Sequence, residues 1–286
     1  MPKVAYDVSH PDKRSSCVVF ASPHSGRDYP WSFLRRTILD ERTIRSSEDA
    51  FVDQLFDMAP QFGAPLLRAG APRAFVDLNR SAEELDPAVV EGVRRQGHNP
   101  RISSGLGVIP RVVANGRHIY RGKICLQEAE RRIELYWVPY HQMLQKLLDG
   151  AQQRHGQAVL IDCHSMPHEA MDGMARSGVT RPNVVLGNRF GAAAGGGVVD
   201  AVEAAFAAAG FNVVRNAPFA GAYITQAYGR PSRNQHAVQV EIDRSLYMDE
   251  RTIQPHSGFE ETRARLRSVV DEISTIGQVR VPLAAE

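Results

Sequence analysis

Two histidines stand in the same local context at distant points of the chain. His24 follows the apolar run Val18–Ala21 through Ser22-Pro23, His164 follows Ala158–Ile161 through Asp162-Cys163, and a serine succeeds each. Each imidazole is therefore expected just past the C-terminal end of a buried strand, the edge at which α/β proteins place ligands. Zinc favours imidazole nitrogen, and a catalytic zinc needs three protein ligands with one position left for water. Two unrelated loop histidines bonded to backbone are the bland alternative, and the repeated context brings the two readings level. A carboxylate is the natural third ligand. Asp49, ahead of the apolar segment Phe51–Phe56, is best placed, with Glu48 its neighbour. Ser46, three residues before Asp49, also fits a capping box in which the acid would only serve a helix N-terminus.

Glu241 lies in Ala237–Arg244, where Val238, Val240 and Ile242 share one strand face and Gln239, Glu241 and Asp243 the other. A half-exposed strand would alternate in the same way; the catalytic reading makes Glu241 the base that accepts a proton from the attacking water. Asn79-Arg80 closes the apolar run Ala74–Leu78, read as another strand, and an amide beside a guanidinium suits a substrate carboxylate. A surface ion pair of Arg80 with Glu83 or Glu84 is the competing assignment. Other arrangements fail. Pro167 disfavours helical pairing of His164 with His168, and Cys163 and His164 must diverge on an extended strand. Neither Ser25 nor Ser165 occupies a Gly-x-Ser-x-Gly elbow, and Gly191–Gly197 lacks the Lys-Ser/Thr of a phosphate loop.

The elements that must position these groups are short apolar runs alternating with helical periodicity: Cys17–Ala21, Ala74–Leu78, Ala158–Ile161, Val184–Leu186 and Phe211–Val214 read as strands. Helices are expected over Phe51–Phe56, from about Leu126 to Leu148 with a kink or break at Pro139, from Val198 to Gly210, and from Gly258 to Ile276. Asn115-Gly116 marks a hairpin between Arg111–Val113 and His118–Tyr120. Residues 81–110 are polar and aperiodic, as lids and binding loops often are, and the last ten residues read as a loose tail. The fold class is α/β: a single domain over 1–286 with a mostly parallel central sheet flanked by helices. A formal net charge of +2 among 286 residues gives no bulk attraction to nucleic acid or membrane. With no apolar stretch of spanning length and no signal-peptide core, a cytoplasmic protein is expected. Cys17, Cys125 and Cys163 read as buried reduced thiols rather than a disulfide framework.

Taken together the motifs resemble the N-formylglutamate amidohydrolase family. The matching pieces are Ser22–Gly26, Asp49 with Val52–Phe56, Phe75–Arg80, Gly105–Arg111, Pro139–His141, Asp162–Pro167 and Gln239–Met248, in order over most of the chain. That family looks related to zinc carboxypeptidases, so the resemblance implies a zinc-exopeptidase-like (phosphorylase/hydrolase-like) fold. It implies zinc held by His24, Asp49 and His164, substrate held by Asn79 and Arg80, and Glu241 as general base with Arg111 helping to stabilise the oxyanion. The departure is Asp49, which lies a helix away from His24 where carboxypeptidases keep the two close. The implied reaction is hydrolysis of a small N-acyl amino acid, N-formyl-L-glutamate to formate and L-glutamate. The alternatives are a deacylase or carboxypeptidase-like hydrolase of another N-acyl amino acid, a mononuclear iron(II) enzyme, since two histidines and a carboxylate also make a facial triad, or a non-catalytic metal-binding protein. Oligomeric state, pathway and the residue for a second carboxylate are not legible.

Overall fold

Seven strands form one sheet in a computed structural model that describes residues 1–94, 99–174 and 181–278. They are β1 (Tyr6–Ser9), β2 (Val18–Ser22), β3 (Leu66–Ala69), β4 (Ala158–Met166), β5 (Val184–Gly187), β6 (Val213–Arg215) and β7 (Gln235–Asp243), in the order β1-β3-β2-β4-β7-β5-β6. The central neighbours β3, β2, β4 and β7 all pair in parallel. β1 joins β3, and β5 joins β7, antiparallel, so only the flanks run the other way. The mostly parallel sheet expected from the apolar runs is therefore present.

Parallel strands are buried on both faces, because crossovers lay helices over each side. Here alternate residues enter two separate cores. Val18, Phe20, Val159, Ile161, Cys163, Val238, Val240 and Ile242 pack with the helices Gly196–Ala208 and Phe259–Ser274. Val19, Ala21, Ala158, Leu160 and Ala237 pack on the opposite side against the helix Val138–His155. The same alternation carries Asp162 and His164, and Gln239 and Glu241, onto this second face.

Several expectations change. Ala74–Leu78 is not a strand: it forms turns, and its apolar side chains fill the second core. His164 lies inside β4, two residues short of its end, because the strand runs on to Met166. The helix behind Ser46 is a single turn, Val52–Leu55, preceded by Phe51 at φ 66°. β1 and β3, which the apolar periodicity did not signal, extend the sheet beyond β2. The long helix does not break at Pro139. Leu126–Arg132 passes through a π turn, Ile133–Trp137, into Val138–His155, since a proline without N–H is accommodated where the ladder widens. The hairpin at Asn115-Gly116 is one bridge, Val112 to His118, around a tight turn with Asn115 at φ 58°. Cys17 and Cys163 are buried and free, whereas Cys125 is exposed. The tail lies outside the described residues from 279 onward. Among the described residues no helix is long and apolar enough to cross a membrane.

Candidate active site

β2 and β4 are parallel neighbours, so their C-terminal ends deliver His24 and His164 to the same edge of the sheet. The imidazole rings are 4.8 Å apart, centroid to centroid, with their planes at 66°. The turn after β2 is tight: a Cβ on Gly26 would lie 2.1 Å from Ala71 O, so only glycine fits between His24-Ser25 and the chain at 70–71. Asp49 is tied to His24 through the main chain, its N–H donating to His24 O at 3.0 Å. This bond explains how an acid distant in sequence reaches the pair. The capping alternative fails, since Ser46 Oγ donates to Thr43 O and the one-turn helix starts only at Val52. Glu48 faces away, held by Arg45 and Tyr29.

His24, Asp49 and His164 are buried, and one ligand atom from each lies within 4.8 Å of the others. Both rings are presented in the same sense. His24 Nε2 meets Asp77 Oδ1 at 2.7 Å and His164 Nε2 meets Asp162 Oδ2 at 3.0 Å. Both Nδ1 atoms then face Asp49 Oδ2, at 3.4 and 2.9 Å respectively. His24 Nδ1 is buried without a hydrogen-bond partner. Metal-ligating histidines characteristically give their other nitrogen to a carboxylate, which fixes tautomer and orientation. An orphaned imidazole nitrogen, a second Nδ1 and a carboxylate oxygen converging in this way fit a cation of the zinc type. The electrostatics agree. Burial alone would push His164 down, yet the Asp162 charge facing it, its hydrogen bonds to Asp162 and Asp49, and the Glu241 charge hold its pKa well above the ordinary value. Burial likewise opposes ionisation of Asp49, but the two imidazoles hold it well below the carboxylate range. The cluster is short of positive charge, which a proton or a metal ion can supply.

Glu241 stands beside His164 as its register partner across the β4–β7 ladder, and Asp162 stands beside Gln239. Gln239 Nε2 donates to Glu241 Oε1 at 2.8 Å. Burial raises Glu241 to about 7, with the His164 charge pulling it down and that of Asp49 pushing it up. A carboxylate near 7 suits exchange of a proton at neutral pH.

A cavity of about 450 Å³ opens over this cluster, and three arginines reach it: Arg73, Arg80 and Arg244. Among the described residues Arg73 spends only Nε, on Asp77 Oδ2 at 3.1 Å. Arg80 gives Nε to Leu106 O and Nη1 to Asn79 O, and makes no ion pair with Glu83 or Glu84. Arg244 is committed on three sides: Nη2 to Asp49 Oδ1 at 3.0 Å, Nε to Ser165 Oγ, and Nη1 to Ser46 O. Asn79 is a brace, with Nδ2 3.1 Å from His164 Nε2 and Oδ1 accepting from Ile224 N–H at 2.7 Å. Arg111 is elsewhere. Its Nε pairs with Asp86 at 2.8 Å in a neighbouring cavity lined by Ser81, Glu84, Asn99 and Ser103 among others. Asp77, Asp162, Gln239, Arg73 and Arg244 were not singled out from sequence. Strand alternation alone could have flagged Asp162 and Gln239, which share a face with His164 and Glu241. Arg73 carried no such signal.

An α/β sheet that brings a buried His–Asp–His group able to hold a metal ion, and a buried glutamate beside it, to one edge has the make-up of a hydrolase. Comparison with known proteins identifies it further. The profile of the N-formylglutamate amidohydrolase family matches residues 16–248, and the chain belongs to that family. It is 30% identical over 253 residues to an N-formylglutamate deformylase of Pseudomonas aeruginosa, covering 85% of this chain and 87% of that one. A second N-formylglutamate deformylase, from Pseudomonas putida, is 29% identical over 240 residues, 82% of each chain. The crystal structure of N-formylglutamate amidohydrolase from Ralstonia eutropha JMP134 superposes with a TM-score of 0.87 at 33% identity, over 94% of this chain and 96% of that one. A gene product of Agrobacterium tumefaciens shares the fold, with a TM-score of 0.66 at 15% identity over 95% of this chain and 94% of that one. The chain is accordingly an enzyme hydrolysing a carbon–nitrogen bond.

Proposed function

We propose that this enzyme hydrolyses N-formyl-L-glutamate to formate and L-glutamate, with zinc held by His24 Nδ1, Asp49 Oδ2 and His164 Nδ1. The observation that carries the reading is the orphaned His24 Nδ1 converging with the other two ligand atoms beside Glu241. The relatives named for this substrate give the acyl group and the amino acid. When bound, the ion supplies Lewis-acid polarisation of the formyl carbonyl and acidifies a water.

Glu241 takes a proton from the water that attacks the formyl carbon, then hands it to the amine nitrogen as the C–N bond breaks. Gln239, donating to Oε1, holds that carboxylate in place. Arg73, which lines the cavity with its charge anchored on Asp77 and its Nη groups without a hydrogen bond among the described residues, takes the part expected of Arg111. It is the donor for negative charge developing on the carbonyl oxygen, an interaction typically worth about 3–4 kcal/mol. Arg80, with its fork partly free at the cavity wall, holds a substrate carboxylate. Arg244 secures Asp49 Oδ1 and leaves Oδ2 to the imidazoles.

Metal analysis of the purified protein combined with formate release from a panel of N-formyl and longer N-acyl amino acids tests this. Stoichiometric zinc and formate released fastest from N-formyl-L-glutamate support the reading. Preference for a longer acyl group would make the enzyme a different deacylase, and iron in place of zinc would overturn the metal assignment.

A further inference from the structure

Ala74–Arg80 has no strand to hold it, yet it supplies Asp77, Asn79 and Arg80. Besides the bond of Asp77 N–H to Val108 O at 2.8 Å, a row of side-chain donors from one helical run fixes it. Arg132 Nη1 donates to Phe75 O at 3.1 Å, His141 Nε2 to Leu78 O at 2.9 Å, and Trp137 Nε1 to Arg80 O at 2.9 Å. The carbonyls on both sides of Asn79, those of Leu78 and Arg80, are thus pinned by two residues of that helix. The pins are themselves seated. The Trp137 and His141 rings lie 4.0 Å apart, and His141 Nδ1 accepts from Tyr228 Oη, 2.9 Å away. Tyr223 packs on both rings at the start of the short helix whose Ile224 N–H holds Asn79 Oδ1.

The spacing of these donors is irregular. His141 follows Trp137 by one α-helical step of four, but Trp137 follows Arg132 by five. In an unbroken α-helix five residues turn roughly 140° away from the starting direction, so Arg132 and Trp137 would not address one strip of chain. The π turn absorbs the extra residue: Val138 N–H donates to Ile133 O, five back, where an α-helix would donate four back. Pro139 follows at once and makes the widened turn the lower-strain choice, having no N–H to give to Leu135 O.

We propose that the π turn is a positioning device for the substrate-carboxylate contact: it phases Trp137 and His141 onto the backbone around Asn79 and so aims the Arg80 fork into the cavity. The proposal rests on the reading of Arg80 given above. Trp137 and His141 touch no substrate; they act through the Leu78–Arg80 backbone.

Two variants test it: Trp137→Phe, which keeps the ring and deletes the donor, and an alanine inserted after exposed Leu135, which adds a residue beyond the one the π turn absorbs and turns Trp137 and His141 away from the face set by Arg132. Kinetics are compared on N-formyl-L-glutamate and on its two monocarboxamides, N-formyl-L-isoglutamine and N-formyl-L-glutamine, with bound metal and Tm measured alongside. The wild type should prefer the dicarboxylate over one carboxamide, and that one marks the carboxylate Arg80 takes. No preference would defeat the Arg80 reading itself, whatever the variants do. Given the preference, Trp137→Phe should raise KM for the dicarboxylate about five- to tenfold, the scale of one lost hydrogen bond to a positioned group. Its kcat and metal content should stay within about twofold, and KM for the insensitive carboxamide should not move. The alanine insertion should narrow the preference further. An unchanged dicarboxylate-to-carboxamide ratio in Trp137→Phe overturns the proposal, as does an equal loss on all three substrates.

Discussion

The two histidines are buttressed by acids that come from very different kinds of backbone. Asp162 sits inside β4, locked between β2 and β7, and faces His164 two residues along the same strand face. Asp77 sits in turns between Ala74 and Arg80 and faces His24 from across a loop. One acid is placed by a ladder of backbone hydrogen bonds, the other by a lone backbone bond of its N–H to Val108 O at 2.8 Å and by side chains reaching in from elsewhere. The ladder needs only the right alternation of residues. The loop needs Arg132, Trp137 and His141 at the correct phase, and Asp77 itself bonds Asn79 N–H at 2.8 Å and Arg73. Chemistry carried by strands is therefore robust and separable, whereas chemistry carried by this loop is shared among its members.

Glu241→Gln attacks the ladder side with the largest expected effect. Loss of a general base typically costs 10²–10⁴-fold, so kcat should fall by about that much while bound metal persists. Near-normal turnover in that variant would remove Glu241 from the mechanism. On the loop side, His141 links pH to stability. Burial depresses it from 6.5 to about 4 in the folded protein. Its contribution is present above pH 6.5, where both states are neutral, and is lost as pH falls towards 4, because only the unfolded chain takes up the proton. The loss attributable to this residue is about 3 kcal/mol at most. Urea unfolding between pH 7 and 4 should show a steeper decline in the wild type than in His141→Gln, and parallel curves would contradict this assignment.

The paired acids give the sharpest contrast. Asp162→Asn and Asp77→Asn should each weaken metal affinity about 10–100-fold, the usual cost of removing such a partner. Only Asp77→Asn should also raise KM at saturating metal, because Asp77 accepts from Arg73 and from the Asn79 main-chain N–H next to Arg80, whereas Asp162 meets Asn79 through its side-chain amide at 3.4 Å. Matching kinetic profiles of the two, measured by metal titration and steady-state rates, would erase the distinction between ladder and loop. Arg80→Ala should have the smallest and most selective effect, raising KM for the carboxylate substrate about tenfold with little change in kcat. Equal losses in KM and kcat would make Arg80 structural instead.

The same contrast explains what could be read in advance. His24, His164 and Glu241 were visible because strand periodicity sets their direction, and the flanking residues of β4 and β7 announce the strands. Asp49 was a candidate by position with Glu48 as rival, and rested mainly on family resemblance, since its approach to His24 depends on one main-chain hydrogen bond made by irregular chain. Ala74–Leu78 misled for a physical reason: a run of apolar residues that fills a core from turns has the same composition as one that fills it from a strand. Arg111 misled likewise, because nothing in its own neighbourhood announces Asp86 as its partner. Arg73 gains its place from Asp77, which only the folded loop provides.

β4 has a further consequence for how a wrongly folded chain would betray itself. It holds His164 towards the cavity and Cys163 towards the opposite core, where burial raises the thiol well above its usual range and leaves it inert. A one-residue slip would exchange these two directions, turning a thiol to the cavity and burying an imidazole in aliphatic surroundings. In a chain with Cys125→Ser, to silence the exposed thiol, alkylation at Cys163 becomes a gauge of register. Correctly paired molecules should resist the reagent, and slipped or opened ones should be tagged.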